Sequence, residues 1–132
     1  MWAAKELNFH LAIAAPANCL PSDSYMKCLD SPNISLHTDP TEAVDGADVI
    51  NTDVWLSMGQ EDQADKEAQF DNYQVNTELL KHANPSHIVL HCLPAYRGKE
   101  ITEEVLEAYS DVIFQQAENR LHAQKSILAK LA

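Results

Sequence analysis

Five short apolar runs, separated by stretches patterned as helices, constrain the fold of this chain more than any other feature. Residues 11–15, ahead of Pro16, read as a strand and its exit, and 34–37 as a second, alternating strand. Residues 48–52 form a third strand that carries polar side chains. Ile88-Val89-Leu90 is a fourth and Val112-Ile113-Phe114 a fifth. The intervening segments carry helix signals. Residues 1–7 are helix-patterned, and Ser22 caps a helix through Tyr25, Met26 and Leu29 that stops near Pro32. Asp39-Pro40-Thr41-Glu42 opens a short helix with a cap and a proline at its first position, closed by Gly46. The charged stretch 60–69 reads as an exposed helix, and another, about 76–82, leads into the fourth strand. Thr102-Glu103-Glu104 starts a further helix, and 118–131 form a terminal one. Strand and helix alternating over a whole chain predict an α/β fold, a mostly parallel sheet flanked by helices. The length is that of one domain.

Composition removes several function classes. Nine basic against twenty acidic residues give a formal charge of −11. That disfavours nucleic acid and anionic membranes, which require basic surface, but leaves room for an anionic ligand in a local basic pocket. No apolar run approaches the roughly 18 residues of a membrane span, and the first residues lack the pattern of a secretory signal. Three cysteines, Cys19, Cys28 and Cys92, are an odd number with no CxxC pair. Such usage fits reduced thiols in a cytoplasmic protein and no metal site.

Chemistry concentrates at three strand ends, where ligands bind in open α/β sheets. Asp53-Val54-Trp55-Leu56-Ser57-Met58-Gly59-Gln60 follows the third strand. A carboxylate and a hydroxyl there suit a ligand with an ammonium group, while the plainer alternative has Asp53 and Ser57 capping the next helix. His91-Cys92-Leu93-Pro94 follows the fourth strand, and Pro94 forces a turn. Cys92 is a nucleophile, a proton acceptor or a buried apolar group, and the last is the commoner state of a cysteine. His91 is poorly placed as its base, because adjacent strand residues face opposite sides. Ala117-Glu118-Asn119-Arg120 follows the fifth strand. Arg120, in a first helical turn, can aim donors at an oxyanion or carbonyl, or form a surface ion pair with Glu118 or a neighbour. Together these residues describe a site for a small zwitterionic or amine ligand.

These three segments, in the same order and approximate spacing, resemble the second, amino-acid-binding domain of the ornithine carbamoyltransferases. Similarity also runs through Asp39-Pro40-Thr41-Glu42-Ala43-Val44, Tyr73-Gln74-Val75-Asn76, Pro94-Ala95-Tyr96-Arg97-Gly98 and Leu121-His122-Ala123-Gln124-Lys125, so it covers essentially residues 1–132. Related aspartate carbamoyltransferases lack the serine-methionine-glycine segment. The resemblance implies a Rossmann-like sheet and transfer of a carbamoyl group from carbamoyl phosphate to the side-chain amine of L-ornithine. The products are L-citrulline and phosphate, in arginine biosynthesis. It implies that Asp53 binds the α-amino group, and that Ser57 and the backbone at Met58 fix the amino-acid end. Cys92, as proton acceptor, and the Leu93 carbonyl then flank the attacking amine, and Arg120 donates to the carbamoyl oxygen. No cofactor or metal is implied, and full-length relatives are expected to be homotrimers.

The family's Ser-x-Arg-Thr-Arg phosphate grip and His-Pro-x-Gln segment have no counterpart in this sequence. The first helix resembles the middle of the second domain's first helix, so the domain's first strand, central in a doubly wound sheet, is also without a counterpart. Its absence is expected to leave two facing strand edges unpaired or to make the sheet close up. The resemblance therefore implies a partial ornithine-binding domain, marginally stable and inactive alone. A non-catalytic amino-acid-binding module and a carbamoyltransferase for another amine, such as putrescine or an acylated ornithine, remain alternatives.

Overall fold

Four of the five apolar runs form strands, and they pair in parallel as two separate ladders. The computed structural model describes residues 1–56 and 67–132. Ser57, Met58 and most of the helix expected over 60–69 lie outside the described residues. In chain order the elements are α1 (Trp2–Leu7), β1 (Leu11–Ala14), α2 (Asp23–Leu29), β2 (Ile34–His37), α3 (Pro40–Val44) and β3 (Val49–Thr52). After a 3-10 helix, Ala68–Tyr73, come α4 (Thr77–Leu80), β4 (Ile88–His91), α5 (Glu103–Ala108) and α6 (Ser110–Leu131).

Local chemistry accounts for where the helices begin and stop. Ser22 caps α2 by accepting the Tyr25 N–H, and Asp39 caps α3 by accepting the Thr41 N–H at 2.9 Å. Asn76 caps α4 and Thr102 caps α5 in the same way. Each removes one of the unpaired N–H groups at a helix start. The two bonds from Thr41 also hold the Asp39 carboxyl below its ordinary range. Left-handed residues end α1 at Asn8 and α2 at Asp30. Gly46 turns the chain after α3 with φ +66°, a backbone that suits glycine.

β1 pairs with β2 in the register Leu11↔Ile34 to Ala14↔His37, and β3 with β4 from Val49↔Ile88 to Thr52↔His91. Among the described residues β1 and β3 share no ladder. Of the two outcomes expected for a doubly wound sheet without its central strand, the open one is present. A cleft of about 380 Å³ separates the facing edges, lined by Ala12 and Ala14 on one side and Ile50 and Thr52 on the other. The halves are tied by α3, which packs on β1, β2 and α4. The Tyr73 O–H adds a tie, donating to the Thr38 carbonyl at 2.7 Å.

The core lies under β3 and β4, where Val44, Ile50, Val75, Leu80, Val89, Ile101, Val105, Leu106 and Ile113 form one buried cluster. All eight residues of β1 and β2 are only partly buried. The Rossmann-like arrangement is thus well packed on one side and thinly covered on the other.

The expected fifth strand does not form. Val112, Ile113 and Phe114 are helical, within α6, which begins at Ser110 rather than at 118. A three-residue apolar run cannot distinguish strand from helix without a pairing partner. Here α6 packs on β4 side by side, and the Gln116 carboxamide accepts the His91 N–H at 3.0 Å. Ile113 is fully buried, whereas Phe114 is 61% exposed. Ile113→Ala is therefore expected to destabilise the chain by about 2–4 kcal/mol in urea unfolding, and Phe114→Ala by less than about 1 kcal/mol. Equal losses at the two positions would contradict the helical placement.

Candidate active site

The parallel register of β3 and β4 brings two of the expected site residues together. Thr52 and His91 are the last paired residues, so Asp53 and Cys92 leave the sheet at the same edge, at the carboxyl ends of neighbouring strands. The Cys92 Sγ donates to the Asp53 Oδ1 at 3.0 Å, and that same oxygen accepts the Val54 N–H at 2.7 Å. Asp53 is exposed on the cleft between the two ladders, so its carboxylate is reachable by a ligand.

Burial pushes the Cys92 thiol up, and the hydrogen bond and negative charge of Asp53 push it further. The backbone at Cys92 and the Arg120 guanidinium pull the other way. At neutral pH the side chain is therefore a protonated thiol donating to a carboxylate, not a resting thiolate.

Arg120 is placed differently from the expectation. It lies well inside α6, not in a first helical turn, because the helix begins at Ser110. α6 packs on β4, and the Arg120 charge acts on Cys92 from that helix. Glu118, its expected surface partner, instead faces His122 at 3.4 Å. Asp53 and Cys92 thus share one edge, Arg120 acts on the thiol through its charge alone and contacts neither, and Ser57 and Met58 lie outside the described residues.

His91 turns away from this edge, as alternation along a strand requires. It is fully buried, with Nε2 facing the Glu100 Oε1 at 3.1 Å and Nδ1 accepting the Leu93 N–H at 2.9 Å. Leu93 has a φ of +55°, and the peptide between Leu93 and Pro94 is cis. Sequence reasoning did not single out Glu100 or Gln116. Nothing in Gly98-Lys99-Glu100-Ile101 separates a buried glutamate from a solvated one, since its burial comes from chain segments distant in sequence.

The whole arrangement matches a known domain. A family model described as the Asp/Orn binding domain of aspartate/ornithine carbamoyltransferase matches residues 1–131. The chain belongs to the aspartate/ornithine carbamoyltransferase family. It is 63% identical to an ornithine carbamoyltransferase of Akkermansia muciniphila, covering 100% of this chain and 44% of that protein. Among solved structures, an anabolic ornithine carbamoyltransferase from Campylobacter jejuni superposes with a TM-score of 0.90 at 38% identity, over 97% of this chain and 45% of that one. The ornithine carbamoyltransferase of Pyrococcus furiosus gives 0.85 at 42% identity, over 96% and 43%. The chain spans less than half the length of each of these carbamoyltransferases. No helix among the described residues is long and apolar enough to cross a membrane.

The Asp53–Cys92 contact has a measurable consequence. A thiolate beside a carboxylate is disfavoured, so removing the carboxylate charge lowers the thiol's titration point. In Asp53→Asn, alkylation of Cys92 by iodoacetamide near pH 7.5 should accelerate severalfold, read by mass spectrometry of the Cys92 peptide, while Cys19 and Cys28 are unaffected. An unchanged or slower rate would mean that Asp53 does not act on the thiol.

Proposed function

We propose that residues 1–132 are the amino-acid-binding part of an ornithine carbamoyltransferase and contribute one wall of its transfer site. The observation that carries this reading is the meeting of Asp53 and Cys92 at one strand edge, in a chain with this family membership. In the proposed complex the α-ammonium of L-ornithine takes the place of the thiol on Asp53, a charge-assisted contact in a partly shielded cleft. Ser57 and the backbone at Met58 hold the amino-acid end. Cys92 and the Leu93 carbonyl flank the side-chain amine.

The chemistry follows from these placements. The side-chain amine attacks the carbamoyl carbon, a C–N bond forms, and the C–O bond to phosphate breaks as phosphate leaves with its electron pair. Charge that builds on the carbamoyl oxygen is met by the Arg120 guanidinium. The amine must also lose a proton, and Cys92 is the proposed acceptor. Burial and Asp53 both keep the thiol protonated; an ammonium seated on Asp53 offsets the carboxylate's share, which favours loss of the thiol proton to solvent and leaves a thiolate able to take the amine's proton. The groups that grip carbamoyl phosphate are assigned to residues outside this chain. No metal or cofactor is needed for this sequence of steps.

The experiment is a calorimetric titration of the 132-residue chain with L-ornithine, alongside a citrulline assay with carbamoyl phosphate. Ornithine should bind without turnover, and Asp53→Ala should weaken binding about tenfold or more. Unchanged affinity in Asp53→Ala would overturn the assignment of Asp53. Citrulline formed by the isolated chain would overturn the division of the site. Putrescine, which has no α-carboxylate, should bind more weakly than ornithine, and the reverse order would favour a polyamine substrate.

A further inference from the structure

Beside the proposed amine site lies a buried polar network that takes no part in the chemistry above. His91 and Glu100 are both fully buried. The Leu93 N–H donates to His91 Nδ1 at 2.9 Å, so Nδ1 is the bare nitrogen and the ring proton sits on Nε2. Nε2–H in turn donates to the Glu100 Oε1 at 3.1 Å, and the same oxygen accepts the Tyr96 N–H at 2.6 Å. Residues 93 and 96 of the turn are therefore tied to one carboxylate oxygen, one through the imidazole and one directly.

The anchor points are held independently of the turn. The Val75 N–H donates to the Glu100 carbonyl at 2.9 Å, and the Thr102 N–H to the Val75 carbonyl at 3.1 Å. From the other side, Gln116 of α6 accepts the His91 N–H at 3.0 Å. Inside the turn, Leu93 keeps a left-handed backbone that side-chain-bearing residues avoid unless their surroundings impose it.

Glu100 is also an expensive way to fill a core position. Its Oε2 is buried with no hydrogen-bond partner among the described residues. A half-satisfied buried carboxylate costs stability that an apolar side chain would not. The two hydrogen bonds its carboxylate does make, with His91 and Tyr96, both lead to the segment that carries Cys92 and Leu93.

We propose that His91 and Glu100 are positioning residues, which fix the backbone of Leu93 through the imidazole and so keep the Cys92 thiol seated on Asp53. The proposal rests on the reading of Asp53 and Cys92 as parts of the amine site, but its test uses neither ornithine nor turnover. Asp53 contacts the thiol, and Arg120 is the other charged group that acts on it. Loosening the turn withdraws the thiol from the carboxylate and from its burial, and both changes favour the thiolate.

Two measurements on the 132-residue chain decide it. Long-range proton–nitrogen NMR of the unsubstituted chain should show His91 as the Nε2–H tautomer. An Nδ1–H tautomer cannot accept the Leu93 N–H and would overturn the proposal. Alkylation by iodoacetamide then reads the turn. His91→Leu removes the acceptor, and the Cys92 rate near pH 7.5 should rise about three- to tenfold towards the rates of the exposed Cys19 and Cys28. His91→Asn offers Oδ1 in place of Nδ1 and should stay within about twofold of the unsubstituted chain. A His91→Leu chain with native circular dichroism and an unchanged rate overturns the proposal, as does an Asn variant as fast as the Leu variant. Should His91→Leu fail to fold, the tautomer of the unsubstituted chain and the Asn variant still decide the outcome. Ornithine that fails to bind while these results hold would count against the proposed function alone.

Discussion

The parallel ladder between β3 and β4 is the interaction on which the rest of the molecule depends. Its register, ending at Thr52↔His91, sends Asp53 and Cys92 out of the sheet side by side. A slip of one residue would turn each side chain on the slipped strand to the other face and separate the carboxylate from the thiol. The same register places Ile50 and Val89 inward, where they join Val44, Val75, Ile101 and Ile113 in the core. Packing and chemistry are therefore set by one alignment.

The other ladder is in a different physical condition. β1 and β2 are only partly buried along their whole length, and the edge of β1 faces the cleft, where it meets no third strand among the described residues. Exposed parallel edges are unusual, because such sheets are normally covered on both faces and paired inside. The link from α3 and the Tyr73–Thr38 bond hold this half in place without filling the cleft. Asp53 opens onto that cleft, so the most weakly packed region adjoins the group proposed to bind ligand.

Electrostatics at the site follow from partial burial. Burial of the thiol, with the hydrogen bond and charge of Asp53 added to it, keeps Cys92 protonated. The charge of Arg120 on α6 opposes that of Asp53, so the state of Cys92 depends on groups from three elements. Behind them, the buried pair His91 and Glu100 connects the turn to the core.

Much of this was legible in the order of residues alone. Alternating apolar runs and caps specify the α/β class, because strand and helix periodicities are local properties. Ser22, Asp39, Asn76 and Thr102 occupy helix starts, since a cap needs only a few neighbouring residues. The strand ends carrying Asp53 and Cys92 were readable for the same reason. Val112-Ile113-Phe114 was not, because a run of three becomes a strand only if an edge accepts it, and here the edge of β4 is covered by α6. Arg120 likewise owes its position to that packing and not to a helix terminus. Glu100 was invisible for a further reason: burial of a carboxylate depends on which distant segments close over it. Local periodicity and capping are written in neighbouring residues, whereas pairing, burial and charge environment depend on contacts across the fold.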